Sequence, residues 1–197
     1  MVGASAGGVQ ALQLLLPSLS PKLPAVVAVA IHRLPTLHGD RLPRVLARTS
    51  LLPVRGVTDG EAMRPGSVYI APPGMQMEIV DGLFRLNASE NGAQPSIDAL
   101  FRTAAEVRGR KVVGILLSGL LDDGTAGLAA IKAAGGFTIV QEPAEALFGD
   151  MPRNAIANVP VDVVCRVGEM HKHVEPAAAY RATLMPKPES ADDHARA

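Results

Sequence analysis

Met1-Val2-Gly3-Ala4-Ser5-Ala6-Gly7-Gly8 opens the sequence. An apolar start passes into small residues that carry one hydroxyl among three glycines. Val9, Leu12, Leu15, Leu16 and Leu19 then recur at helical spacing, and Pro17 disrupts the end of the run. The stretch therefore reads as strand, turn and helix, with Ser5 on the turn. Glycines let the backbone turn sharply and let other groups approach the hydroxyl. The unpaired N–H groups of a helix's first turn also point towards it. A nucleophilic serine suits this position. So does a helix cap, the commoner role of a serine before a helix and the one this stretch alone favours. A nucleotide loop fits poorly. Ser5 stands where the second glycine of G-x-G-x-x-G belongs, and no Gly-Lys-Ser/Thr follows.

The rest of the chain alternates strands and helices. Ala25 to Ile31 and Lys111 to Leu117 are continuous valine-rich runs, as strands buried on both faces require. Shorter strands are predicted at 53–57, 68–71, 137–141 and 161–164. Helices are predicted over 38–47, with Leu42, Val45 and Leu46 inward, and after Pro95-Ser96, with Ile97, Leu100, Phe101, Ala104 and Val107 on one face. A further helix runs through Leu128 and Ile131 to Gly135-Gly136. Asp81-Gly82 between two apolar runs signals a hairpin with a type I′ turn. Phe148 to Arg153 is a loop entering a short helix. The fold expected is α/β: a doubly wound, mostly parallel sheet with helices on both faces and an inserted antiparallel hairpin. Residues 1–185 form one domain in this reading, and the polar segment 186–197 a disordered tail.

Composition narrows the function. The chain has 197 residues, enough for one full core. Nineteen basic and nineteen acidic residues cancel, so net charge gives no sign of a nucleic-acid or anionic-membrane partner. The single cysteine, Cys165, excludes an intramolecular disulfide and a cysteine-rich zinc cluster. No cofactor or metal site is expected. Without a signal-like segment or a long apolar span, a cytoplasmic protein with no membrane insertion is the default expectation.

Three strand ends carry the candidate chemistry: Ser5 after the first strand, His32 after the second, and Asp122-Asp123 after the 111–117 strand. A neutral imidazole can take the proton of a serine hydroxyl, and a carboxylate fixes the imidazole tautomer. In doubly wound sheets such groups meet beyond the carboxyl ends of the strands. Each also has a plainer use, His32 in the core and the aspartates as caps of the helix opening at Gly124-Thr125. The order Ser, His, Asp and the absence of G-x-S-x-G exclude a generic α/β-hydrolase match.

Gly3-Ala4-Ser5-Ala6-Gly7-Gly8, Ile31-His32-Arg33-Leu34-Pro35, Tyr69-Ile70-Ala71-Pro72, Pro95 to Phe101, Ser118-Gly119 through Asp123-Gly124, and Phe148-Gly149-Asp150-Met151-Pro152 together resemble the catalytic domain of chemotaxis protein-glutamate methylesterases. The resemblance spans about Val2 to Val164. It implies a serine esterase with the triad Ser5, His32 and Asp123, Asp123 being chosen over Asp122 because it directly precedes the glycine. It implies hydrolysis of glutamate methyl esters on the cytoplasmic helices of chemoreceptors, releasing methanol, with deamidation of certain receptor glutamines as a related activity. It places Leu120 and Gly119 at the oxyanion and Met151, Pro152 and Arg153 at the substrate.

The departures from the family pattern are specific. Ala6 stands where threonine is common, Leu120 replaces a methionine, Leu121 a glycine, and Gln94 an arginine before Pro-Ser. The family's first strand is usually longer than Met1-Val2 before the glycine, so a truncated or misassigned start is one expectation. No receiver domain precedes the catalytic segment in this sequence. The alternatives are a separate receiver protein acting in trans, a constitutively open domain, or a missing preceding part. The competing functional reading is a catalytically weak homologue that serves as a binding or scaffold module in a signalling complex.

Overall fold

A computed structural model of the chain describes residues 1–35, 39–88 and 95–184. Gln94, His38 and the tail 186–197 lie outside the described residues, and the helix expected at 38–47 runs only over Leu42–Leu46, residues 39–41 being non-helical. Seven parallel strands form the central sheet: β1 (Val2–Ala4), β2 (Val26–Ile31), β3 (Val54–Gly56), β4 (Ser67–Ile70), β7 (Val113–Leu116), β8 (Phe137–Gln141) and β9 (Val163–Cys165). Their order across the sheet is β3-β4-β2-β1-β7-β8-β9, so the short first strand is central. The separate pair β5 (Met75–Val80) and β6 (Leu83–Ala88) is the antiparallel hairpin. Its turn has positive φ at both Asp81 (49°) and Gly82 (77°), as a type I′ turn requires.

Strand side chains alternate between two cores. Val27, Val29 and Ile31 of β2 face the core containing Leu12, Leu15 and Leu16 of helix α1 (Gly8–Ser18). Leu42 and Leu46 of α2 (Leu42–Leu46) and Val174 and Ala178 of α6 (His171–Ala182) complete that side. Ala28 and Ala30 point the other way, towards α3 (Ile97–Arg108), α4 (Thr125–Ala133), α5 (Asp150–Asn158) and the hairpin. Such two-sided burial explains why these strands read as unbroken apolar runs.

Three details differ from expectation. Val45 and Val107 lie exposed at the edges of their helical faces. The 111–117 run begins with a 3₁₀ turn over Gly109–Lys111, which leaves β7 shorter than its apolar run. Helix α6 follows the last strand, although the sequence offered no clear periodicity there. No helix among the described residues is long and apolar enough to cross a membrane.

Candidate active site

Register brings the first two residues together. Ala4 pairs with Ile31 across β1 and β2, so Ser5 and His32 leave the sheet side by side, and the His32 N–H donates to the Ala4 carbonyl at 3.1 Å. On the other flank of β1, Gly3 pairs with Leu116, and the Ser5 N–H donates to the Ser118 carbonyl at 2.9 Å. Two strand pairings thus fix the backbone of the serine, as the carboxyl edge of a parallel sheet allows.

The turn beyond Ser5 depends on Gly7. Gly7 is the N-cap of α1 in the left-handed region, with φ of 75°, and no side chain caps the helix. A Cβ at Gly7 would lie 2.6 Å from Ser118 Oγ, so there is no room for one. The capping role weighed for Ser5 is therefore not the one its side chain takes. Ser5 Oγ lies 3.1 Å from His32 Nδ1. The Ser118 hydroxyl secures the turn from below by donating to the Ala6 carbonyl at 2.7 Å and accepting from the Phe148 N–H at 3.0 Å.

His32 Nε2 stands 2.7 Å from Asp123 Oδ2. The carboxylate also accepts from the Ile97 N–H at 2.8 Å, the Asp98 N–H at 3.0 Å and Ser96 Oγ at 3.3 Å. Burial by itself would raise the Asp123 pKa, but hydrogen bonds from His32, Ile97 and Asp98 outweigh it and hold the carboxyl below its ordinary range. An ionised carboxylate only accepts, so Nε2 carries the imidazole proton and the Nδ1 lone pair faces the serine hydroxyl. That is the tautomer needed to take a proton from Ser5.

The aspartates divide as the sequence left open. Asp122 is exposed, and its carbonyl accepts from the Thr125 N–H. Gly124, not an aspartate side chain, is the N-cap of α4. Asp123 instead reaches across to the start of α3, to Ile97, 26 residues earlier in the chain. Ser96, the N-cap of α3, shares this site by also accepting from the Ala99 N–H. Sequence reasoning missed Ser96 and Ser118 as parts of the site. The capping pattern at Ser96 was visible, but nothing local links it to Asp123.

The remaining expected residues lie around this line. Gly119 packs so closely on Ser5 that a Cβ there would sit 2.8 Å from Ser5 Cβ and 2.1 Å from Met151 Sδ. Its N–H donates to the Phe148 carbonyl at 2.9 Å, which engages it in support of the loop. No acceptor among the described residues takes the backbone N–H of Ala6 or Leu120. Met151 and Pro152 are buried, so they lie beneath the open face, whereas Arg153 is exposed and paired with Asp150. Arg33 anchors the segment after His32 through Asp40 and the Ala71 carbonyl. The lone thiol is no rival nucleophile. Burial and then the charges of Glu169, Glu145 and Glu142 push Cys165 up to about 11.

Seven parallel strands, helices on both faces and reactive groups gathered at the carboxyl ends define an α/β protein of the doubly wound class. The family model described as CheB methylesterase matches residues 1–174, and the chain belongs to that family. The crystal structure of the Thermotoga maritima CheB methylesterase catalytic domain superposes with a TM-score of 0.81 at 30% identity, covering 89% of this chain and 95% of that one. A Leptospira interrogans protein, provisionally named protein-glutamate methylesterase/protein-glutamine glutaminase, is 35% identical over 83% of this chain and 86% of its own length. A Pectobacterium atrosepticum protein-glutamate methylesterase/protein-glutamine glutaminase is 36% identical over 83% of this chain. The match covers 48% of that relative, so this chain spans about half its length.

Proposed function

We propose that the chain is a serine carboxylesterase that hydrolyses glutamate methyl esters on chemoreceptor proteins, with Ser5 as nucleophile, His32 as base and Asp123 as its orienting carboxylate. The observation that carries this reading is the continuous line Ser5 Oγ–His32 Nδ1 and His32 Nε2–Asp123 Oδ2 in a member of a methylesterase family. As Ser5 Oγ bonds to the ester carbonyl carbon, its proton passes to His32 Nδ1. The imidazolium is stabilised by the Asp123 carboxylate. The N–H groups of Ala6 and Leu120 supply the donors for the developing oxyanion, a main-chain role that the side chain at 120 does not alter. Collapse breaks the bond to the methoxy oxygen, which takes the proton from Nδ1 and leaves as methanol. Water then attacks the acyl-enzyme, gives a proton to Nδ1, and releases the glutamate carboxylate while Ser5 recovers its proton. A receptor glutamine would follow the same course with ammonia as leaving group.

Cytoplasmic receptor helices are the partner in this reading, a separate receiver protein is the candidate regulator, and residues 1–185 act as one catalytic domain. The test is methanol release from radiolabelled methylated receptor membranes by wild type and by Ser5→Ala, with binding measured for both. Binding by wild type without methanol above the Ser5→Ala background would overturn the esterase reading in favour of a scaffold.

A further inference from the structure

Large apolar side chains stand exposed on the loops around the candidate site. Leu121 is 76% exposed and belongs to neither core. Its φ is 63°, a left-handed conformation that a leucine rarely adopts. The Asn154 amide of α5 donates to its carbonyl at 2.7 Å and so holds the backbone in that state. Its neighbour Leu120 is half-exposed. Leu147, 65% exposed, leans over the serine turn, since a Cβ on Gly7 would lie 2.9 Å from Leu147 Cβ. Phe148 follows it and is tied by its carbonyl to the Gly119 N–H. Leu34, also exposed, comes two residues after His32.

These side chains occupy three loops, and each loop also carries or supports a member of the Ser5–His32–Asp123 line. A substrate that approaches Ser5 over these loops meets these side chains. A backbone outlier that packs nothing inside the protein points to a use outside it. Isolated exposed leucines need no explanation, but a cluster around a reactive group marks a contact surface.

We propose that Leu121, with Leu120 and Leu147, is a specificity surface that selects glutamyl esters flanked by an apolar side chain on the substrate polypeptide. The proposal rests on the esterase reading above and names the substrate class of that same site. A polar or acidic residue flanking the ester would lose its hydration against these leucines without gaining a partner, and such mismatches separate substrates by ten-fold or more. The contact is made to groups that do not react, so its effect falls chiefly on KM.

Two peptides, identical except for leucine or aspartate beside one glutamyl γ-methyl ester, provide the test. Wild type should favour the leucine peptide by about ten-fold in kcat/KM. In Leu121→Asn the ratio should fall towards unity through KM, asparagine being chosen because it accepts the left-handed backbone. Leu147→Ser should move the ratio in the same direction, which keeps the test independent of the Leu121 backbone. Equal hydrolysis of both peptides by wild type would overturn the proposal while leaving the esterase reading intact, as would an unchanged ratio in both variants. Hydrolysis of neither peptide above the Ser5→Ala background would overturn the esterase reading and this proposal with it.

Discussion

Asp123 and Ser5 stand at the two ends of one line of hydrogen bonds, and the protein holds them in opposite ways. Around the Asp123 carboxylate, donors converge from His32, Ile97, Asp98 and Ser96, two of them backbone groups at the start of α3. Among the described residues, the Ser5 hydroxyl has His32 as its one side-chain partner, while its backbone is fixed by Ser118 and Gly8. The carboxylate end is therefore rigid in charge and position, and the hydroxyl end is rigid only in its backbone. A base with a preset tautomer needs no rearrangement when the proton moves. A hydroxyl with one soft contact can rotate from the imidazole towards a carbonyl carbon.

Removing the loosely held end gives the largest effect on turnover and almost none on the fold. Ser5→Ala should lower kcat roughly 10⁶-fold, as nucleophile removal does in serine triads. Its stability should stay within about 0.5 kcal/mol of wild type, because Gly7 rather than Ser5 caps α1. Urea unfolding and methanol release measured on one preparation would decide this, and a loss of several kcal/mol would break the contrast. Asp123→Asn should cost about 10⁴-fold in kcat. It should also destabilise the protein by about 1–3 kcal/mol, since its amide hydrogens would face donors. Wild-type melting behaviour in this variant would show that the anchoring of Asp123 at α3 has no energetic weight.

Of the two ends, acid should act on the rigid one. The Asp123 carboxyl is held below its ordinary range when folded, so its contribution is present above the unfolded carboxylate value of about 3.9 and is lost as pH falls through the folded one. Asp98 has the opposite sign. Burial, then the nearby Asp123 charge, raise its pKa against the Gly127 N–H bond, so its burial penalises the protein as pH rises. The acid limb of a thermal-stability profile should therefore flatten in Asp123→Asn, and a limb of unchanged slope would assign acid lability elsewhere. Smaller still, Ser96→Ala should cost about 1 kcal/mol as a lost cap, with a modest fall in kcat. Asp122→Asn should change stability by no more than about 0.5 kcal/mol. Equal activity losses at 122 and 123 would erase the distinction between the two aspartates.

The same contrast explains what could be read from the chain. The buried strands, the Asp81-Gly82 hairpin and the strand-end positions of Ser5 and His32 are local patterns, legible as apolar runs that stop. The association of Asp123 with the start of α3 is a contact between distant segments, and no periodicity encodes it. Aspartate before Gly124-Thr125 looks like a cap for the helix that follows, yet it serves an earlier one. Helix α6 was hidden for a local reason. Pro176 interrupts its hydrogen bonding, and histidines, lysine and glutamate dilute its buried face of Val174, Ala177 and Ala178. Ser118 was read as part of a motif, but its hold on the Ala6 carbonyl and Phe148 N–H follows only from the pairing of β1 with β7.

The central position of β1 also sets an order in time. Val2 pairs with Val29 on one side and with Ile115 on the other. Ser5 is synthesised well before Asp123. Until the segment containing β7 has emerged and docked, β1 remains an edge strand, the Ser118 carbonyl is not there to hold the Ser5 N–H, and His32 has no carboxylate to set its proton. Parallel pairings between such distant segments are slow to form because loop closure precedes the gain from contact. On the esterase reading, a nascent or partly folded chain carries an ordinary, inert serine, and reactivity at Ser5 would report that β7 has docked beside β1.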